Sequence, residues 1–490
     1  MQQFLIFTMI LIGVNTLHAQ APVITWNTAP IEVAENDFGH LSPRMVLDGD
    51  GWPVITFGKN GSYHCATWNT EESAFNPPVV LVESGVFLSD SEGPRMAAHG
   101  DSILVTYMVS GQWATGARGL FSGNGGQTWS EPFPLVSPDV TEDHFMPVPA
   151  FDQDGVPFVA IKLGNPPNVS EGLLRPADEI TGLWLDAIST SENAAGEAIC
   201  ECCPSNPFFH NSRYWNVVRN NNDNIRDMWL LGSSEDNPTD WPLAMDLDNT
   251  DWWISGCPAT GAQTAGPTSS GEHWSVFMSA GGDSGMSLVY LTRMTLDEEA
   301  STSVISEPLT PNQFSNSPQN HPSISVSSNW AAVAWEQNTA GYDIQLVLSN
   351  HEGASLWDNA INLTEAQGGQ HRQPTVILDG DALHLAWKNS MTGSVQYMCG
   401  FVNAGTTGIG DSANDSPCIL HADGTSLHLG IPNHWDQPIR YVINDIGGRA
   451  MRSGHLRMDG TISLESTPNG PTILQLFDGK GKTATLKWAH

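Results

Sequence analysis

The sequence predicts an all-β protein: a seven-bladed β-propeller over residues 22–404, with six blades as the alternative, then a small C-terminal β-sandwich domain over 419–490. Three observations carry this. HRQPTVILDGDALHLAWKN at 371–389 lies almost residue for residue over HLSPRMVLDGDGWPVITFGKN at 40–60, so the chain holds an internal repeat. Both copies run from a Pro through an alternating apolar strand and an Asp-Gly-Asp turn into a second apolar strand closing on Lys-Asn, the pattern of a tight hairpin. Five more units, beginning at Gly93, Met146, Cys202, Gly256 and Asn320, recur about every 50–60 residues, close to the period of four-stranded blades and longer than that of helical solenoids.

In chain order, MQQFLIFTMILIGVNTLHAQ at 1–20 combines an apolar run from Phe4 to Val14 with a small-residue exit near Ala19. That is the plan of a secretory signal peptide, although no Lys or Arg precedes the run. No later stretch approaches the roughly 20 apolar residues of a membrane-spanning helix. The mature protein is expected to be exported, and soluble or attached to the outer cell surface. Residues 22–39 read as one orphan strand, while the seventh unit stops after its third strand, SVQYMCGFV at 394–402. The shortfalls match: the N-terminal strand is expected to complete the last blade, which closes the ring and removes exposed sheet edges.

Charge narrows the partners. The 19 Lys and Arg against 53 Asp and Glu give a formal net charge of −34. Nucleic acid is not an expected partner, because phosphate binding needs a basic footprint. The acidity itself implies no more than solubility.

The second unit carries SGNGGQTW after its third strand, with Ser122, Asn124, Gly126, Thr128 and Trp129. Worn copies follow at SEDNPTDW (Ser234, Asp236, Trp241) and SNHEGASLW (Ser349, Gly353, Trp357). This resembles the Asp-box (BNR repeat) of sialidase-like propellers, Ser-x-Asp/Asn-x-Gly-x-Thr-Trp. Its role is structural: a side-chain oxygen ties down the turn's amides, Gly permits the backbone angles, and Trp packs between blades. The resemblance implies a fold, not a chemistry.

In a propeller the innermost strands line the central channel, so chemistry is expected where first strands begin and second strands end. His144, His321 and His371 stand there. Of the twelve Lys and Arg in 22–404, seven fall on this rim: Arg44, Lys59, Arg95, Lys162, Arg219, Arg372 and Lys388. Charge focused in a cleft attracts an anionic ligand, and arginines bind carboxylate or sulfate bidentately. The plainer alternative is that these cations close strands and snorkel into solvent.

The cysteines form a second constellation, with Cys200, Cys202 and Cys203 before the fourth unit and Cys257 at the equivalent place before the fifth. In an exported protein a disulfide, such as Cys203 to Cys257, is one reading. A Cu(I) or Zn(II) site joining these thiolates to some of His144, His321 and His371 is the other. Cys65 and Cys399 lie on third strands of the first and seventh units, to pair or to stay buried thiols. Arg226 and Asp227 read as an inter-blade ion pair.

Sialidases of the resembled family hold the substrate carboxylate with three Arg, the first in Phe/Tyr-Arg-Ile-Pro, and use Tyr, Glu and Asp in catalysis. That motif is absent here; Pro43-Arg44-Met45 and Pro94-Arg95-Met96 are nearest. Arg44, Arg95 and Arg372 would make an anion-binding trio. Tyr63, Tyr107 and Tyr214 are expected in the core. The family has six blades, and seven units are counted here.

After Val402 the texture changes to a Gly/Ser/Asp/Asn linker at 403–418, then a small β-module. With Asp445, Gly448 and Arg449 in a turn and Thr472 where Tyr is usual, this module closely resembles the C-terminal sorting domain of the type IX secretion system of Bacteroidetes-type bacteria. The resemblance implies passage through the outer membrane by that machinery. A permanent carbohydrate-binding β-sandwich is the alternative. The expected function is binding of an anionic glycan at the channel mouth, with or without hydrolysis; the rivals are a non-catalytic glycan- or protein-binding propeller and a metal-binding one.

Overall fold

The computed structural model describes residues 23–403, apart from 27–28, 35–38, 90–91, 167, 194–197, 236, 283–284, 298–299, 310–316, 352–359 and 366. It also describes the strands between Cys418 and Ala489 with a few flanking residues. The expected signal peptide, most of the linker, Gly448, Arg449 and parts of the worn turns fall outside the described residues. The chain divides into two compact units, Met1–Asn403 and Ala404–His490.

In the first unit seven antiparallel sheets of four or five strands follow one another along the chain, with no α-helix among the described residues. Their first strands are His40–Leu47, Arg95–His99, His144–Phe151, Asn206–His210, Gln263–Ala265, Gln319–Val326 and His371–Asp379. First strands of neighbouring sheets touch, the fourth and fifth through the Thr264 amide donating to Asn206 Oδ1 at 2.7 Å, and the seventh touches the first. A closed ring of sheets with first strands innermost is a β-propeller.

Closure differs in one respect from expectation. Two strands, not one, add to the last sheet: Val23–Trp26 pairs with Gly400–Asn403, and Ile31–Ala34 pairs with Val395–Tyr397. Both lie on the same edge of Ser394–Asn403. Pro30 stands between them, and a residue without N–H interrupts a ladder. The seam is packed like the rest, with Ile55, Phe57 and Ala66 of the first sheet against Ala386, Val395 and Tyr397 of the seventh.

A proline marks the inner end of every unit: Pro43, Pro94, Pro147, Pro204, Pro258, Pro322 and Pro374. In four first strands the residue before it (Ser42, Met146, His321, Gln373) has φ of 49, 56, 48 and 55°, and the ladder shifts register there. A left-handed non-glycine residue is strained. Its recurrence marks a β-bulge that re-aims the chain toward the axis. The strained segments are held by side chains of neighbouring sheets. Ser42 N donates to Gln373 Oε1 at 2.9 Å, and Gln373 N donates to Glu336 Oε2 at 3.0 Å.

The turn at 122–129 behaves as its sequence implies. Ser122 Oγ accepts from Gly126 N at 2.9 Å, Asn124 Oδ1 accepts from Thr128 N at 2.9 Å, and Trp129 Nε1 donates to Gly126 O at 2.9 Å. Gly126 has φ of 80°, and a Cβ there would lie 3.0 Å from Val54 Cγ1, so only glycine fits. Trp241 Nε1 repeats the bond three residues back, to Pro238 O at 2.8 Å. Ser122→Ala leaves the buried Gly126 amide unsatisfied and is expected to cost about 1–2 kcal/mol, read as a lower midpoint in denaturant unfolding.

Neither Cys65 nor Cys399 takes part in a disulfide. Cys65, on the first sheet, packs with Val46, Val54 and Ile103 toward the second, while Cys399, on the seventh sheet, packs at the seam against the opposite face of the first. Tyr63, Tyr107 and Tyr214 are buried as expected.

The second unit has a three-stranded sheet (Cys418–Asp423, Ser426–Gly430, Thr461–Ser463) and a four-stranded one (Ala450–His455, Arg440–Asp445, Pro471–Phe477, Thr483–Ala489). Leu427, Leu429, Ile439, Tyr441, Ile443, Ile462, Leu474 and Leu476 form its core. Among the described residues no helix is long and apolar enough to cross a membrane.

Candidate functional site

The bulged first strands surround a solvent-connected cavity of ≈ 80 Å³. Arg44, Arg95, Thr260, His321, Ser323, Gln373 and Thr375 line it, with Pro204, Pro322 and Pro374. Arg44, Arg95, Ser323 and Thr375 each follow a unit proline, so the repeat delivers equivalent positions to one wall. A smaller cavity of ≈ 20 Å³ adjoins it, lined by Phe87, Glu92, Tyr107 and Met146, and shares Arg95 and Pro204.

The electrostatics are unusual for a chain of this charge. Arg44 Nη1 donates to Pro43 O at 3.3 Å, while its buried Nε has no hydrogen-bond partner. Burial lowers the pKa of Arg44. Burial lowers Arg95 further, and repulsion from Arg44 adds to it, partly offset by Glu92. Two guanidiniums that each favour a compensating anion face one space. Burial also lowers His321, against the pull of Glu336, whose Oε1 lies 3.8 Å from its Nε2. The imidazole is therefore neutral at neutral pH.

The other expected ligand residues are not on the wall. Lys162 is fully buried and bonds Glu171 Oε2 at 2.9 Å. Arg219, also fully buried, donates to the carbonyls of Thr260 (3.3 Å), Arg226 (2.7 Å) and Met278 (2.7 Å), clamping the fourth sheet to the fifth. Lys388 is buried and Lys59 half-buried, away from the cavity. Second strands sit one strand out from the axis, so their cations end between sheets. Arg372 turns to Glu336 Oε1 at 3.0 Å and lies over the Tyr342 ring at 4.4 Å, which removes it from the trio. His371 is fully buried. Its Nδ1 accepts from Trp387 Nε1 at 2.9 Å, and its Nε2 donates to Gly368 O at 3.0 Å. His144 Nδ1 lies 2.9 Å from Glu142 O. Both rings are structural.

Arg226 pairs with Glu201 at 3.1 Å rather than with Asp227. Asp227 accepts from Trp252 N at 3.1 Å, and burial, with Asp248, Asp246 and Asp251 nearby, pushes its pKa up to about 7. A folded pKa above the unfolded value near 3.9 gives stability that is complete below that value and lost as pH rises through about 7. Asp227→Asn is therefore expected to stabilise the protein at pH 8, by roughly 1–3 kcal/mol, and to change little at pH 4. Paired thermal melts at the two pH values check this.

The sulfurs do converge. Cys202 and Cys257 form a disulfide with Cα atoms 6.2 Å apart, in place of the expected Cys203–Cys257 pair. Cys203 is instead buried against Cys200, with Sγ atoms 2.8 Å apart, and Cys200 Sγ is 3.6 Å from Cys202 Sγ. Burial alone would raise the Cys200 pKa, but contacts with Cys203 and Cys202 and the charges of Arg219 and Arg226 lower it to about 6. None of the three histidines joins this cluster.

Sequence reasoning missed Gln373, Glu336 and Glu171. The position of Gln373 directly before a unit proline, like Ser42, Met146 and His321, was the available signal; buried glutamates leave none.

No family model and no curated protein matches the chain. Among solved structures it is similar to an ulvan lyase of a new polysaccharide lyase family bound to -[GlcA(1-4)Rha3S]-, at 10% identity and TM-score 0.50 over 76% of this chain and 96% of that chain. It is also similar to the polysaccharide lyase Uly1 (9% identity, TM-score 0.45, 76% of this chain, 90% of that one). An α-L-arabinofuranosidase from Fusarium graminearum follows (9% identity, TM-score 0.40, 76% and 97%). The first of these likenesses defines the class of this chain by fold, as a β-propeller.

Proposed function

We propose that this chain is an exported or surface-attached propeller of seven blades that binds an acidic glycan, carboxylated or sulfated, in the cavity between Arg44, Arg95 and His321. The observation that carries this is the convergence of the half-buried Arg44 and Arg95 on one wall, with the buried Arg44 Nε unpartnered. Carboxylate and sulfate match a guanidinium bidentately. The ulvan lyase of similar fold is bound to -[GlcA(1-4)Rha3S]-, a unit bearing uronate and sulfate, and that ligand class is carried over here.

The cavity wall favours binding or elimination over hydrolysis. The described lining of the larger cavity has no Asp, Glu or Tyr, and the adjoining one offers Glu92 as its one carboxylate beside Tyr107, so the paired carboxylates of an ordinary glycosidase have no counterpart among these residues. A neutral His321 beside two guanidiniums is instead a group set for taking a proton α to a carboxylate. Titrating the protein with uronate, sulfated, sialylated and neutral glycans is the test, with ultraviolet absorbance for unsaturated ends and a reducing-sugar assay for cleavage. Salt-sensitive binding of an acidic glycan is expected. Equal binding of neutral arabinan, unaffected by salt, would overturn the reading.

The C-terminal β-sandwich serves in this proposal as the type IX sorting domain. Secretion of full-length chain, and retention of a chain ending at Asn403, is the expected result in a host with that machinery.

A further inference from the structure

We propose that Cys200, Cys202, Cys203 and Cys257 form one tetrahedral thiolate site for Zn²⁺, and that the Cys202–Cys257 disulfide is its oxidised, metal-free state. The sulfurs of Cys200, Cys202 and Cys203 lie within 4.8 Å of one another, and Cys257 is bonded to the second of them. Four sulfurs from two segments more than fifty residues apart in sequence thus meet at one point.

Four thiolates and no imidazole is the donor set of a closed, structural zinc site. The surroundings favour it over two disulfides. Arg226 Nη1 donates to Cys200 Sγ at 3.0 Å, and Arg219 is near enough to act on both Cys200 and Cys203. A zinc bound by four thiolates carries a net charge of −2, which Arg219 and Arg226 offset in part, Arg226 also pairing with Glu201 at 3.1 Å.

The chemistry balances with a named reductant. A small dithiol gives two electrons and two protons to the Cys202–Cys257 bond and becomes a cyclic disulfide, leaving four thiols. Binding of Zn²⁺ then releases four protons in all. The site would brace the cavity from outside, since Pro204 and Thr260, beside Cys203 and Cys257, stand on its wall.

The full chain, purified without chelator and with a mild dithiol, is analysed for metal by mass spectrometry. Its cysteines are then alkylated after denaturation in chelator and mapped. One zinc per chain, with Cys200, Cys202, Cys203 and Cys257 all recovered as alkylated thiols, is the expected result. Substitution by Co²⁺ should give thiolate charge-transfer absorbance that Cys257→Ser weakens and Cys65→Ser leaves intact, with near-ultraviolet circular dichroism confirming that both variants fold. Metal-free protein after zinc addition under the same reducing conditions would overturn the proposal, as would Co²⁺ absorbance indifferent to Cys257→Ser.

Discussion

Arg44→Met lowers the affinity for a uronate or sulfated glycan by roughly 10- to 100-fold, as expected for loss of a charge-assisted hydrogen-bond donor worth about 1.5–3 kcal/mol. Arg44 is the residue of choice because its Nε is buried and unpartnered, so its removal breaks no ion pair in the fold. Folding stability should hold or rise slightly, since a buried cation without a carboxylate partner is costly. Arg44→Lys keeps the charge, loses the planar fork and should fall between the two. Isothermal titration at two salt concentrations separates these outcomes. Unchanged affinity and salt dependence in Arg44→Met would place the ligand elsewhere.

Lys162→Met destabilises the propeller by about 3–5 kcal/mol, the effect of stranding a buried carboxylate. Lys162 and Glu171 are both fully buried, and Glu171 also accepts from Ser205 Oγ and from Asn216 Nδ2 at 3.2 Å, tying the third sheet to the fourth. The pair is therefore a joint between sheets. The double variant Lys162→Met, Glu171→Gln should recover most of the loss, because the uncompensated charge goes with the second change. Guanidinium unfolding of the three proteins measures it. A single variant within 1 kcal/mol of the parent would show that water reaches Glu171.

Much of the fold is legible in the sequence because it repeats. Seven units with a proline at the inner end, three of them carrying an Asp-x-Asp turn (48–50, 152–154 and 379–381), specify hairpins of one kind, and the missing strand of the last unit calls for the unused strand of the first. The interruption at Pro30, which makes two strands of one, was also written in the sequence. The site was legible in part. Arg44, Arg95 and His321 are first-strand residues next to a unit proline, and they reach the cavity. Lys162, Arg219 and Lys388 close second strands and carry the same charge in the same textual position, yet they do not.

The sequence by itself determined the repeat, the need for an N-terminal segment to complete the last sheet, the structural turn at Ser122–Trp129 and part of the polar set at the inner rim, Arg44, Arg95 and His321 among it. Tertiary structure alone decided which of those residues face a ligand. A buried charge is settled by whatever compensates it, and the compensating groups come from other sheets: Glu336 for Arg372, and the carbonyls of Thr260 and Met278 for Arg219. For the cysteines likewise, packing rather than spacing chose Cys202 over Cys203 as the partner of Cys257, because Cys203 lies buried against Cys200.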